Sequence, residues 1–240
     1  MQLLTLKHWI TQQNKDQRDR WIAQIAQGVK PGSRVLDIGA GGCPYRMFFA
    51  HCSYDAQDFA ALRSDQLNQG AYGPLKYICD ATAIPAPDAS YDFILCTEVL
   101  EHVLRPDAVI REAARLLRTG GTAVFTAPLG SGLHQDPYHF YGGFTPYWYQ
   151  KVMAEAGFRG IRIETNGGSF QHFSQWCVWF IKSLSPWSAQ LGAGQRLLYA
   201  ILWLLTVPGV FGLMLLSRAI DRLDGRSEFT VGYQVHAERE

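Results

Sequence analysis

The chain has 240 residues, 48% of them apolar and 18% charged, which suits one domain with a large buried core and excludes a disordered segment. Lys and Arg number 22 against 21 Asp and Glu, so the net charge of +1 excludes a broad basic field for nucleic acid. The five cysteines, Cys43, Cys52, Cys79, Cys96 and Cys177, have no metal-ligand or CxxC spacing, so buried reduced thiols are expected and a resident metal is not.

Residues 1–10 lack a continuous apolar run and a small-residue cleavage site, so no secretory leader is read there and a cytoplasmic location is expected. Residues 9–28 read as an amphipathic helix, with Trp9, Ile10, Trp21, Ile22 and Ile25 at helical spacing and Gly28 as the stop. A short apolar run over 33–38 then enters Gly39-Ala40-Gly41-Gly42, the pattern of a strand feeding a tight turn. Four more runs of buried-strand type cover 53–58, 75–79, 91–96 and 122–126.

Residues 106–118 form the best-defined helix: Pro106 suits the first position, Val109, Ile110, Ala113, Leu116 and Leu117 make one stripe, and Gly120 follows. A second helix over 146–157 is capped by Thr145, and 158–164 reads as a sixth strand. Alternating strands and helices imply an α/β fold whose sheet is parallel and covered on both faces.

In such a doubly wound sheet, ligands sit outside the carboxyl ends of the strands, where the first turn lets backbone approach a nucleotide. Glycines at 39, 41 and 42 remove blocking side chains and permit positive φ. A pyrophosphate-binding turn wants a third glycine where Pro44 stands, so the segment points to a cofactor without a phosphate. Asp37, two residues before the first glycine, suits a cationic amine.

The run Val35-Leu-Asp-Ile-Gly-Ala-Gly-Gly42 resembles the first motif of class I S-adenosylmethionine-dependent methyltransferases, and within them the type 11 group. Four later segments follow in that family's order: Asp58, Asp80-Ala81, the stretch 91–102 and the turn 118–122. The resemblance spans residues 33 to about 164 and implies a Rossmann-like methyltransferase fold. That fold has a mostly parallel seven-stranded sheet with an antiparallel last strand, for which 229–236 alternates suitably. It implies S-adenosylmethionine as cofactor, held by Asp37, Gly39, Ala40, Gly41, Asp58, Asp80, Ala81 and Thr97, with Asp58 on the ribose hydroxyls. The chain then divides into a helical cover (1–32), the cofactor-binding core (33–165), a hydrophobic helical insertion (166–226) and the last strand (227–240).

Methyl transfer from a sulfonium needs alignment and exclusion of water more than a catalytic triad, although an oxygen or nitrogen acceptor that carries a proton needs a group to take it. The loop 128–145 offers His134 and His139 for that role, with Asp136 as orienter and Tyr138 or Tyr141 as a wall. His102, after Glu101, is a third candidate. Each histidine also has a plain reading as a hydrogen-bonded packing residue.

Residues 165–217 carry only Lys182 and Arg196 as formal charges, and four of the seven tryptophans fall there: Trp176, Trp179, Trp187 and Trp203. Residues 197–216 are uncharged over a length that could span a bilayer. Pro208-Gly209 is expected to divide that run into two short helices, a hairpin in the membrane interface, with Lys182, Arg196, Arg218 and Arg222 facing anionic head groups. Two partner readings stand for 170–224: peripheral contact with the inner face of the membrane, or a buried or homo-oligomeric surface. The acceptor is read as a small molecule, lipid-like or a lipid-linked saccharide, methylated on oxygen, nitrogen or carbon. A non-enzymatic membrane or assembly adaptor and a nicotinamide-dependent reductase are the rival functions.

Overall fold

The computed structural model describes residues 13–67, 69–188, 191–224 and 228–240. The chain divides into two compact units, Arg18–Glu164 with Gly232–Glu240, and Thr165–Val231 with the chain up to Gln17. The expected helical positions Trp9 and Ile10 lie outside the described residues.

Helix α1 (Gln13–Gly28) ends at its predicted glycine and buries Ile22 and Ala26. Strands β1 (Arg34–Ile38), β2 (Ser53–Asp58), β3 (Tyr77–Ile78), β4 (Tyr91–Thr97) and β5 (Leu117–Pro128) pair in parallel. With β6 (Phe158–Thr165) and β7 (Gly232–Arg239) they form a seven-stranded sheet in the order β3-β2-β1-β4-β5-β7-β6. β7 runs antiparallel to β5, with Phe125 opposite Val235, as the alternation of 229–236 foretold. The strand begins three residues later than predicted, at Gly232, where a Cβ would stand 2.5 Å from the Ala127 carbonyl oxygen, so that only glycine lets the two backbones meet so closely.

The central strands are buried on both faces, so Leu36, Ile38, Ile94 and Phe125 are almost fully enclosed. Helix α2 (Pro106–Leu116) turns Val109, Ile110, Ala113 and Leu116 into that core. Each larger side chain among them contributes roughly 1.5–3 kcal/mol. Leu117, predicted as the helix's last apolar residue, instead opens β5. Helix α3 (Pro146–Glu155) starts as its sequence foretells: the Thr145 hydroxyl accepts from the Trp148 N–H at 3.3 Å. All five cysteines are unpaired; Cys43, Cys96 and Cys177 are buried, Cys52 and Cys79 only partly.

In the other unit, α4 (Ser169–Ser183) packs against α5 (Ala193–Ile220). The Arg218 guanidinium donates to the Ser174 hydroxyl at 2.7 Å, and Asp221 and Asp224 accept from the first backbone N–H groups of α4. The expectation that Pro208 splits the apolar run is corrected: α5 continues through it as one helix of 28 residues, about 42 Å long. A proline removes one backbone bond, and the strong helix formers Leu202, Leu204 and Leu205 before it and Leu213, Met214, Leu215 and Leu216 beyond the next turn sustain the helix against that loss. The hairpin that does form is α4 with α5.

Candidate active site at the carboxyl ends of β1, β2, β4 and β5

The turn after β1 takes the shape its glycines permit. Gly39 and Gly41 have φ of +69° and +52°, and a Cβ on Gly39 would stand 2.2 Å from the Val99 side chain. Gly42 departs from the expectation: its φ is not positive, and Cys43 takes the left-handed conformation instead, at φ +58°. The smallness of Gly42 serves packing, since a Cβ there would press on the Gln69 side chain at 2.4 Å.

Neighbouring strands tie this turn down. The Gly41 N–H donates to Asp58 Oδ2 at 2.8 Å and the Gly39 N–H to Gln57 Oε1 at 3.2 Å. Asp58 Oδ1 also accepts from the Ala60 N–H at 2.9 Å, so this carboxylate already organises two loops while keeping lone pairs for a diol. Ala40 is buried against Ala56. Asp80 is exposed and accepts from the Thr82 N–H and hydroxyl, beside buried Ala81, while Thr97 closes β4 half-buried.

Asp37 is 1% exposed. The Tyr54 hydroxyl donates to its Oδ2, and Oδ1 has no hydrogen-bond partner among the described residues. Burial pushes its pKa up to about 7, with the Tyr54 bond opposing that rise. An orphaned buried carboxylate oxygen beside a glycine turn fits the cationic amine of an amino-acid head group, and the open space at Gly41, where a Cβ would meet nothing nearer than Leu67 at 4.0 Å, fits a close-lying nucleoside. The residues present therefore suit S-adenosylmethionine.

All three histidines singled out in the sequence come together. Ring centroids of His134 and His139 lie 4.4 Å apart, those of His102 and His134 4.7 Å, and those of His102 and His139 5.6 Å. A carbonyl only accepts, so His102 Nδ1, 2.5 Å from the Tyr138 oxygen, and His134 Nδ1, 2.9 Å from the Gly132 oxygen, carry the protons. Ser131 donates its hydroxyl hydrogen to the Gly142 carbonyl and so accepts from His139 Nε2–H at 3.0 Å. Burial lowers the His102 pKa to about 4 and also lowers that of His139. Backbone carbonyls and Ser131 do the orienting assigned to Asp136, which is exposed and makes no ion pair with these rings among the described residues.

The loop that carries two of these histidines reaches the segment that follows β2. The Tyr138 ring meets Phe59, beyond β2, edge-on at 5.9 Å, and Gln66 donates to the Asp136 carbonyl at 2.9 Å. Tyr141 instead turns its hydroxyl to the Leu104 carbonyl. A separate cavity of about 580 Å³ opens at the opposite ends of the strands, lined by Ser33, Asp92 and the turn 118–122, and none of the candidate cofactor-binding or catalytic residues lines it.

Sequence reasoning missed four groups. Arg18 of α1 pairs with Glu98 and donates to the Tyr45 hydroxyl; burial opposes its charge, and Glu98 with Tyr45 and Asp19 more than offsets that. Glu98 holds a φ of +53° directly after β4 and accepts from Thr126. Tyr54 fixes Asp37, and Glu101 is buried with Oε2 unpartnered. Only the period-breaking charge of Arg18 on an otherwise alternating helix could have pointed to its pairing.

Residues 36–125 match the family model described as a methyltransferase domain. The chain is similar to the sarcosine/dimethylglycine N-methyltransferase of Halorhodospira halochloris, 28% identical over 60% of this chain and 57% of that protein. It is 31% identical to a ubiquinone/menaquinone biosynthesis C-methyltransferase of Xanthomonas oryzae over 43% of this chain and 45% of the relative. The chain thus spans about half the length of the curated relatives it matches. Its fold is similar to that of the phosphoethanolamine N-methyltransferase 2 of Haemonchus contortus, solved with S-adenosylhomocysteine. The TM-score is 0.53 at 16% identity, over 92% of this chain and 52% of that one.

Proposed function

We propose that this chain, a class I S-adenosylmethionine-dependent methyltransferase with S-adenosylmethionine as its cofactor, methylates an oxygen or nitrogen of a lipid-like or lipid-linked small molecule. The observation that carries the acceptor side is the convergence of His102, His134 and His139 beyond β4 and β5, at the strand edge that also bears the glycine turn.

When bound, the cofactor supplies an electrophilic methyl group on a sulfonium. Asp37 would hold the amine end, Asp58 would accept from the ribose hydroxyls, and Gly41 leaves room for close approach. The loop 128–145 excludes water, and a neutral imidazole, His134 or His139, takes the proton that the acceptor loses. Burial lowers the His139 pKa and so keeps that ring neutral and able to accept a proton.

The second unit supports an amphiphilic acceptor. Helix α5 is long and apolar enough to cross a membrane, yet only 17% of its most apolar stretch is buried; Leu204, Leu205 and Leu216 are exposed. Trp176, Trp179 and Trp187 are also exposed, beside Lys182. A single crossing conflicts with chain topology: β7 must return to pair with β5, and α4, about 22 Å long, is too short to carry the chain across. These features support an α4–α5 pair lying in the interface plane, with peripheral contact at the inner face of the membrane.

Calorimetry with S-adenosylmethionine, its demethylated product and NADH, followed by labelled-methyl transfer to fractionated host extract, tests the reading. Label in the lipid fraction supports it. Binding of NADH alone returns the reductase, and cofactor binding without transfer returns the adaptor. Flotation of the full chain with anionic vesicles, lost in Leu205→Glu/Leu216→Glu, tests the membrane part; recovery of the wild type in the soluble fraction sinks it.

A further inference from the structure

We propose that Glu101, His102 and His134 bind a divalent transition-metal ion of the zinc type, which holds the acceptor's reacting oxygen; this rests on reading the histidine cluster as the acceptor site. One ligand atom from each of the three residues lies within 4.8 Å of the others. The second observation is electrostatic. Glu101 is 1% exposed, and its Oε2 has no hydrogen-bond partner among the described residues. Its Oε1 stands 3.7 Å from His102 Nε2, which must be a lone pair in the neutral ring because Nδ1 gives its hydrogen to the Tyr138 carbonyl.

Two acceptor atoms facing each other in a buried place need a positive charge between them. A proton shared between them would draw the pair to about 2.6–2.8 Å. A metal with bonds of about 2.0–2.2 Å in tetrahedral geometry holds its ligands roughly 3.4 Å apart, much nearer the 3.7 Å observed.

The protein's own orientation of the rings fits the same reading. Histidine ligands commonly donate their other N–H to a backbone carbonyl, which fixes tautomer and direction, and both His102 and His134 do so, to Tyr138 and Gly132. A carboxylate with two imidazoles leaves coordination positions open, the arrangement of a site that binds substrate rather than one that only braces the fold. An ion there would lower the pKa of a bound acceptor hydroxyl; the proton passes to His139, the hydroxyl oxygen then forms its bond to the methyl carbon, and the carbon–sulfur bond breaks with its electrons going to sulfur.

The test uses the untagged full chain after chelator treatment, titrated with Zn²⁺ by calorimetry and with Co²⁺ by visible absorption. One equivalent of Zn²⁺ is expected, together with a Co²⁺ spectrum lacking the near-ultraviolet thiolate band. His134→Ala, on a half-buried loop, should weaken Zn²⁺ binding by more than about tenfold, since even an outer-shell change costs that much, and leave S-adenosylmethionine affinity unchanged. Glu101→Gln should do the same where it folds. Absence of Zn²⁺ binding, binding indifferent to His134→Ala, or a thiolate band that assigns the ion to cysteine overturns the proposal. Methyl transfer that resists chelation, with no Zn²⁺ bound, removes the metal and leaves the methyltransferase reading intact. Zn²⁺ binding without any methyl transfer supports the site and removes the acceptor role.

Discussion

Arg18 and Glu98 meet across the fold, Nη1 to Oε2 at 3.0 Å, and join the first helix to the residue that leaves β4 with φ +53°. Their side chains are 10% and 29% exposed, so the pair is shielded enough for its loss to matter. Arg18→Met strands the Glu98 carboxylate and should cost about 3 kcal/mol in urea unfolding. Arg18→Met/Glu98→Gln should recover most of that, because the charge left alone is then gone. An unchanged unfolding midpoint in the single variant would show that the pair is not coupled to folding.

Gly39 combines a left-handed φ with a neighbour that forbids a side chain. Gly39→Ala should lower stability by about 1–3 kcal/mol and weaken cofactor binding as the turn shifts. Adding Val99→Ala removes the clash and not the backbone strain, so it should restore part of the stability. Full restoration would mean that φ carries no penalty here.

Asp37 links pH to both folding and binding. Its folded pKa, pushed up to about 7 by burial, lies above the ordinary carboxylate value that the unfolded chain keeps. Between those values the folded state holds a proton that the unfolded state has released, so stability should fall as pH rises from about 4 to about 7 and level off above. A bound ammonium group favours the ionised carboxylate, so cofactor affinity should rise over the same window with release of a proton. Asp37→Asn should flatten both profiles. Calorimetry in buffers of different ionisation enthalpy reads the proton, and a profile unchanged by the substitution would place the linkage elsewhere.

Asp58→Ala should weaken S-adenosylmethionine binding by about 1.5–3 kcal/mol through loss of charge-assisted hydrogen bonds. Asp80→Ala should cost less, since this exposed carboxylate is engaged with Thr82. Equal losses, or none for Asp58, would show that the ribose contact has been assigned to the wrong acid.

Elements whose pattern is local were legible in advance. The run 53–58 became a strand with the predicted ends, Thr145 capped its helix, and the glycine turn adopted positive φ at two of its three predicted places. Periodicity, caps and turn chemistry act between residues a few positions apart, and nothing distant overrules them where they agree. The candidate histidines could be named from their positions after strands, although not as a cluster.

The amino-acid sequence by itself determined the order of strands and helices, the glycine turn and the acids that flank it, because each follows from the conformational range of residues adjacent in the chain. Only the tertiary structure decided that His102, His134 and His139 share one site, that Arg18 answers Glu98, and that α5 continues through Pro208. Those outcomes depend on which loops the parallel sheet brings to one edge and on whether neighbouring turns can absorb a missing bond. Distance in space and the balance of many small packing terms leave no period in the sequence.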